Sequence, residues 1–192
     1  MPQYGIYFDQ TRCTGCYTCV VACKDWYDLP AGPASFMRVK CFERGTFPDL
    51  FAAYLATPCY HCAAPPCMAA CPYQAIHKRE ADGIVVVDTK RCVGAEQCPK
   101  RCLKACPWGA PQFQAAPDAK MQKCQLCVER IEAGQQPICV EACPMFALEV
   151  GPIEDLHKKY GNQLQAEGFK FLKRFAPSVT FKPKRPAAPS GA

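Results

Sequence analysis

The 192-residue sequence predicts an α+β fold with a loop-rich core in which cysteine ligation stands in for much of the usual apolar packing. Three observations predict it. The chain has 17 cysteines, and all but Cys41 fall into four groups of four. The apolar share of 49% counts those cysteines and drops to about 40% without them, thin for a chain that must bury its own core. The stretches between the groups are short strand-like and helix-like patterns, interrupted by 19 prolines and 12 glycines.

The cysteine groups come first because they dictate the rest. Cys13, Cys16, Cys19 and Cys23 form an uninterrupted C-x2-C-x2-C-x3-C run, the bacterial ferredoxin pattern for iron-sulfur clusters. Cys124, Cys127, Cys139 and Cys143 form a second group, closed by Pro144. In such runs the last, proline-flanked cysteine reaches across to a different cluster, so this group needs a partner stretch. Between them lie Cys59, Cys62, Cys67, Cys71 and Cys92, Cys98, Cys102, Cys106. Four quartets of thiolates imply four clusters, and a chain whose folding is coupled to metal binding has no compact apo form.

In chain order, Tyr4 to Asp9 alternates as a short strand leading into Cys13, and Gly15 allows a tight wrap that a Cβ would obstruct. Val20 to Trp26 continues as a helical turn that carries Cys23 away from its three predecessors. Asp28 to Pro33 is a loop. Ser35 to Phe42 and Leu50 to Thr57 are strands about a turn at Arg44 to Pro48, with Cys41 expected buried as a small apolar side chain. Ala63 to Pro66 is a rigid insert in the second quartet, its prolines fixing the backbone. His61 is expected to donate to sulfide or to a partner, with direct metal ligation as the alternative. Gln74 to His77 and Gly83 to Asp88 are strands joined as a hairpin through Ala81 to Gly83. The third quartet has longer spacings, so a cubane with a bulged loop around Val93 to Gln97 is expected, with a three-iron or metal-free site as alternatives. Trp108 to Pro111 turns the chain, and Pro117 to Lys120 links to the fourth quartet. Ile153 to Tyr160 is a helix closed by Gly161. Leu164, Gly168, Phe171, Leu172 and Phe175 recur at helical spacing, for packing on the chain's own core, a partner subunit or a membrane surface. From Pro177 the chain is expected to be extended, either disordered or laid along a neighbour.

Several function classes are excluded or demoted. No Ser/His/Asp set, Gly-rich phosphate loop or catalytic carboxylate pair is visible, so no catalytic site is expected. The formal charge of +6 treats cysteine as neutral. Four oxidised clusters at roughly −2 each would bring the loaded chain to about −2, and no aromatic-basic interleaving accompanies the cations, so nucleic acid is not a partner. Lys24, Lys90, Arg91, Lys100, Arg101, Lys104, Lys123 and Arg130 lie near cysteines in sequence, where cations can offset thiolate charge; a solvated face is the alternative. A disulfide framework needs an oxidising compartment, and Met1 to Asp9 has no signal-peptide character. A structural zinc protein would favour paired knuckles over a C-x2-C-x2-C run. No run of about 18 apolar residues is present, so no membrane span is expected.

The four quartets, the CYHCAAPPCMAACP block, DGIVVVD before Cys92, CPWGAP and KCQLCVERIEAGQQPICVEACP together resemble the iron-sulfur (beta) subunit of the dimethyl sulfoxide reductase family of molybdopterin oxidoreductases, over about Tyr4 to Gly151. The resemblance implies two interleaved, two-cluster ferredoxin-like halves. The outer half takes residues 1–34 and 112–151 and the inner half residues 35–111, with a helical extension at 152–175 and an extended tail at 176–192. It implies four 4Fe-4S clusters: cluster 1 on Cys13, Cys16, Cys19 and Cys143; cluster 2 on Cys23, Cys124, Cys127 and Cys139; cluster 3 on Cys71, Cys92, Cys98 and Cys102; cluster 4 on Cys59, Cys62, Cys67 and Cys106. It implies single-electron transfer from one end of that series to the other. A large catalytic subunit carrying molybdenum or tungsten would sit beside cluster 1, and a membrane anchor or soluble carrier beside the last. A free polyferredoxin carrier is the competing expectation. The chain's own sequence points to the cytoplasm, with membrane association through a partner; export alongside a signal-bearing catalytic subunit is the alternative.

Overall fold

A computed structural model describes residues 2–186. Its elements are short and mixed: β1 Tyr4–Asp9, α1 Thr18–Trp26, β2 Val39–Arg44, β3 Phe51–Ala56, α2 Pro66–Ala69, β4 Ile76–Lys78, β5 Val85–Val87, α3 Arg101–Ala105, α4 Val128–Glu132, α5 Ile138–Glu141, β6 Leu148–Pro152, α6 Ile153–Tyr160 and β7 Val179–Lys182. No helix among the described residues is long and apolar enough to cross a membrane.

Three small sheets organise the chain. β1 is the middle strand of the largest, antiparallel to β6 and parallel to β7, so the two ends of the polypeptide meet across it. β2 and β3 form a hairpin, and β4 and β5 form another. The β1–β6 and β4–β5 pairs share one register. Phe8 faces Leu148, five residues after Cys143, and Val87 faces Ile76, five residues after Cys71. The next residue in each case is an aspartate whose N–H donates to the residue four after that cysteine: Asp9 to the Ala147 carbonyl at 2.9 Å, Asp88 to the Ala75 carbonyl at 2.8 Å. Both aspartates then brace the turn into a quartet. Asp9 accepts the Thr11 N–H at 2.8 Å and Asp88 the Lys90 N–H at 2.9 Å. Arg12 and Arg91, each just before the first cysteine, pair with those carboxylates at 3.7 and 3.6 Å. The same local device thus occurs twice.

The core is built between these sheets and the helices that carry cysteines. Ile6, Phe8, Leu55, Tyr60, Ile84, Leu148, Val150, Val179 and Phe181 are buried together, with Cys23 among them. A smaller cluster gathers Ile76, Val85 and Met121 around Cys67 and Cys102. Cysteine side chains occupy positions that aliphatic residues hold elsewhere, as a chain of low apolar content requires.

Three expectations need correction. Residues 161–175 do not extend the helix beyond α6. They run as turns with one bridge, Ala166 to Phe169, because Gly161 and Gly168 take positive φ angles of 81° and 76° and the aromatic residues are needed elsewhere. Phe169 stacks on Trp108 at 5.8 Å and 7°, and meets Tyr60 edge-on at 5.0 Å. The chain after Pro177 is neither disordered nor laid along a neighbour: β7 adds to β1, with Phe181 and Thr180 fully buried. The expected tail extends beyond this into residues 187–192, which lie outside the described residues. Cys41 is also not buried. It is exposed on β2, its thiol 3.6 Å from the Glu43 carboxylate.

Candidate functional site

The quartets share a local geometry that their unequal spacings hide. The residue two after the first cysteine is left-handed in all four: Gly15 at φ 71°, His61 at 42°, Gly94 at 92° and Leu126 at 54°. A left-handed residue turns the backbone sharply enough to bring the flanking cysteine side chains to one side, at a cost for His61 and Leu126 of about 1–3 kcal/mol each that surrounding structure must over-determine. The third cysteine is always the second residue of a short helix: Cys19 on α1, Cys67 on α2, Cys102 on α3 and Cys139 on α5. After Cys71, Cys106 and Cys143 the chain turns back. The N–H groups of Gln74, Gly109 and Phe146, three residues on, donate to the cysteine carbonyls at 3.3, 3.1 and 3.1 Å.

These turns assemble thiols from distant segments. A hollow of about 360 Å³ is lined by Cys13, Cys16, Cys19 and Cys143, with Phe8 and Leu148 behind them. A second, of about 410 Å³, is lined by Cys23, Cys124, Cys127 and Cys139 with Ile6, Met37 and Val150. A third, of about 320 Å³, is lined by Cys59, Cys62, Cys67 and Cys106 with Tyr60 and Trp108. Cys71, Cys92, Cys98 and Cys102 form the fourth group, close enough for the first three to raise the Cys102 thiol electrostatically. Three of the expected sets thus each line one hollow, and all sixteen cysteines are free thiols, without disulfides.

The electrostatics test whether these sites suit a metal-sulfur group. Burial pushes the thiols of Cys19, Cys67 and Cys124 up to about 12 and that of Cys102 up to about 11, with neighbouring cysteines adding to the rise in each case. Cys23, Cys62 and Cys139 are raised for the same two reasons. Cys16, the most solvated, goes the other way because the Thr18 hydroxyl donates to its sulfur. Four like charges cannot collect around an apolar hollow unless something cationic lies between them, and a thiolate-bound iron centre meets that requirement. Backbone N–H groups already point at the sulfurs: Ala147 to Cys143, Ala110 to Cys106 and Met121 to Cys92, each at 3.4 Å. Such donors favour thiolate over thiol. No group of His, Cys, Asp or Glu among the described residues has the close spacing that would grip a single metal ion. A lone zinc draws four sulfurs to about 2.3 Å from one point; three of these quartets instead line a hollow between their sulfurs.

The long third quartet bulges between Cys92 and Cys98, as expected, and the insert is fastened by the Ala95 N–H donating to Ala119 at 2.9 Å. A Cβ on Gly94 would come within 2.6 Å of the Asp118 carbonyl. His61 is fully buried and lines none of the three cysteine hollows. Its Nδ1 accepts the Val85 N–H at 3.0 Å, which puts the ring proton on Nε2. Of the cations near cysteines, Lys90, Arg91, Arg101 and Lys104 are exposed and Lys24 and Lys100 half-buried, but Arg130 and Lys123 are buried. Arg130 bridges Glu141 at 2.5 Å and lies over the Trp26 ring, tying α1, α4 and α5 together. Sequence reasoning did not single out the aromatic group of Tyr60, Trp108 and Phe169; Trp108 immediately following Cys106-Pro107 was the available signal.

Comparison with known proteins agrees with this geometry. The family description "4Fe-4S dicluster domain" matches residues 12–76 and again residues 50–153. Two dicluster matches give four 4Fe-4S clusters, a number that the 17 cysteines of the chain fit. The chain is 43% identical over 198 residues to the probable anaerobic dimethyl sulfoxide reductase chain YnfG of Escherichia coli (strain K12), covering 98% of this chain and 93% of that one. It is 41% identical over 197 residues to a second anaerobic dimethyl sulfoxide reductase chain of the same organism, with the same coverage. It is 37% identical to a sulfite dehydrogenase subunit of Allochromatium vinosum, over 81% of this chain and 71% of the relative. The chain belongs to the iron-sulfur subunit family of the dimethyl sulfoxide reductase class of molybdopterin oxidoreductases.

Proposed function

We propose that this chain is the electron-transfer subunit of a heteromeric oxidoreductase, relaying single electrons between a molybdenum- or tungsten-pterin catalytic subunit and a further redox partner. The observation that carries it is the succession of four cysteine-lined sites through one small molecule. Bound 4Fe-4S clusters supply the one-electron chemistry. The chain's own residues supply the thiolates, exclude water with Phe8, Leu148, Tyr60 and Trp108, and aim backbone N–H groups at the sulfurs.

The ligand sets we propose are Cys13, Cys16, Cys19 and Cys143; Cys23, Cys124, Cys127 and Cys139; Cys59, Cys62, Cys67 and Cys106; and Cys71, Cys92, Cys98 and Cys102. That is also their proposed order in space, with the last two sets exchanged relative to the order the resemblance suggested. Cys19 acts electrostatically on Cys23, which supports the first step. Cys59 acts on Cys124, which supports the second. Cys67 packs in one cluster with Cys71, Cys92 and Cys102, which supports the third. The shared register of β1–β6 and β4–β5 supports two interleaved halves, residues 1–34 with 112–151 and residues 35–111.

The catalytic subunit chooses the substrate. The names of the relatives point to dimethyl sulfoxide or a comparable small sulfur compound, and no residue of this chain selects among them. A membrane anchor or soluble carrier would dock at the end opposite the catalytic subunit, and any membrane association comes through it. The compartment we propose is that of the catalytic subunit: cytoplasm, or periplasm when that subunit is exported. The free-carrier reading does not gain from the segment after Gly151, which packs on this chain's own core; the match to oxidoreductase chains along nearly its whole length favours the subunit. Anaerobic purification tests the proposal. A brown protein with about sixteen irons and matching acid-labile sulfide that co-purifies with a large pterin subunit is expected. A colourless chain with about four zincs overturns it.

A further inference from the structure

Resting on the reading of four cluster sites, we propose that Lys123 is a potential-setting residue, a buried cation at the junction of the second and third sites in space that makes both flanking sites easier to reduce. Lys123 is 4% exposed and forms no ion pair among the described residues. Its Nζ donates to the Val85 carbonyl and, at 2.9 Å, to the Cys124 carbonyl. Those two acceptors belong to opposite sides of the junction. Cys124 lines the hollow shared with Cys23, Cys127 and Cys139, whereas Val85 lines the hollow of Cys59, Cys62, Cys67 and Cys106.

A buried charge without a carboxylate partner is costly to a fold unless something anionic compensates it. Arg130, the other buried cation among these cysteines, has Glu141 for that purpose. Lys123 has only the thiolate sets on either side. A cation fixed there stabilises the more negative, reduced state of each neighbour. It is held by backbone acceptors, so its position does not depend on a mobile counter-ion. The Val85 peptide is itself anchored from the other side, its N–H going to His61 Nδ1 at 3.0 Å.

The test is an EPR-monitored redox titration of the cluster-loaded wild type and of Lys123→Met, Lys123→Gln and Lys123→Arg. At a fixed potential, the reduced-to-oxidised ratio at the two sites flanking Lys123 is expected to fall about tenfold in the Met and Gln variants, a shift of about 59 mV for a one-electron couple. The Arg variant is expected to stay within about twofold of wild type, and the Cys13 site is expected to move least in every variant. Unchanged ratios in both neutral variants overturn the proposal, as does an equal shift in all four sites. Loss of iron from both neutral variants also overturns it, since Lys123 would then be a structural plug. A wild type without iron or sulfide defeats the four-cluster reading itself and is recognised before any variant is titrated.

Discussion

Cys143 and Cys106 each precede a proline, each accept the N–H four residues on, and each stand in a set whose other three members come from another part of the chain. Removing one such thiolate should empty or degrade one site without touching the rest. Cys143→Ala is expected to lose up to about four of sixteen irons, whereas Cys41→Ser, on the exposed face of β2, is expected to lose none; iron and sulfide analysis of anaerobically purified variants checks both. Gly15 is a sharper probe of the wrapping turn. A Cβ there would overlap the Tyr54 ring, and φ is 71°. Gly15→Ala is expected to destabilise the loaded protein by about 1–3 kcal/mol in denaturant titration, with the Cys13 site bleaching first. The cysteine groups and this glycine were legible because cysteine spacing and a residue lacking Cβ are direct signals. The equivalent left-handed turns at His61 and Leu126 were not, since nothing in either side chain announces a positive φ that ligation and packing impose.

At the scale of elements, β1 carries more than its length suggests, because it is hydrogen-bonded on both edges and leads into the first quartet. Phe181 on β7 packs beneath it with 1% exposure. Phe181→Ala is expected to cost about 3–5 kcal/mol, measured by chemical unfolding of the loaded protein. Tyr7, also on β1, stacks on Tyr160 of α6 with ring centroids 3.6 Å apart and donates to Asp9 at 3.3 Å. Burial, followed by the Asp9 carboxylate, pushes its phenol up to about 12 from 10.0. The folded state therefore favours the neutral phenol: its stabilising contribution is full below pH 10 and is lost as pH rises toward 12. Unfolding midpoints measured from about pH 9 to 12 are expected to fall more steeply for wild type than for Tyr7→Phe. β1, α6 and both hairpins were visible as local periodicity or turn residues. β7 was not, because its partner lies at the opposite end of the chain. The helical spacing from Leu164 to Phe175 misled because Phe169 and Phe175 pack on Trp108 and Tyr60 and the Phe42 ring lies against Gly168, rather than a helix face forming.

At the scale of the whole molecule, segments far apart in sequence converge on common hollows, and cysteines are interleaved with the apolar residues of both buried clusters. Metal binding and folding are then one equilibrium. Stripping iron with an oxidant and chelator is expected to abolish the near-ultraviolet circular dichroism of the aromatic group around Trp108, not merely the cluster absorbance. The arrangement also explains the unusual burial of sulfur. Thiols pushed up by desolvation and by one another stay protonated and poorly nucleophilic in the empty chain and become stabilising thiolate ligands once a cationic group joins them.

The most direct measurement is anomalous diffraction at the iron edge from an anaerobically grown crystal. Four cubane-sized iron peaks in file, in the order of the Cys13, Cys23, Cys59 and Cys71 sets and with Cys143 bound to the first, are the expected result. Fewer than four peaks, or Cys143 bound to a different one, would contradict it.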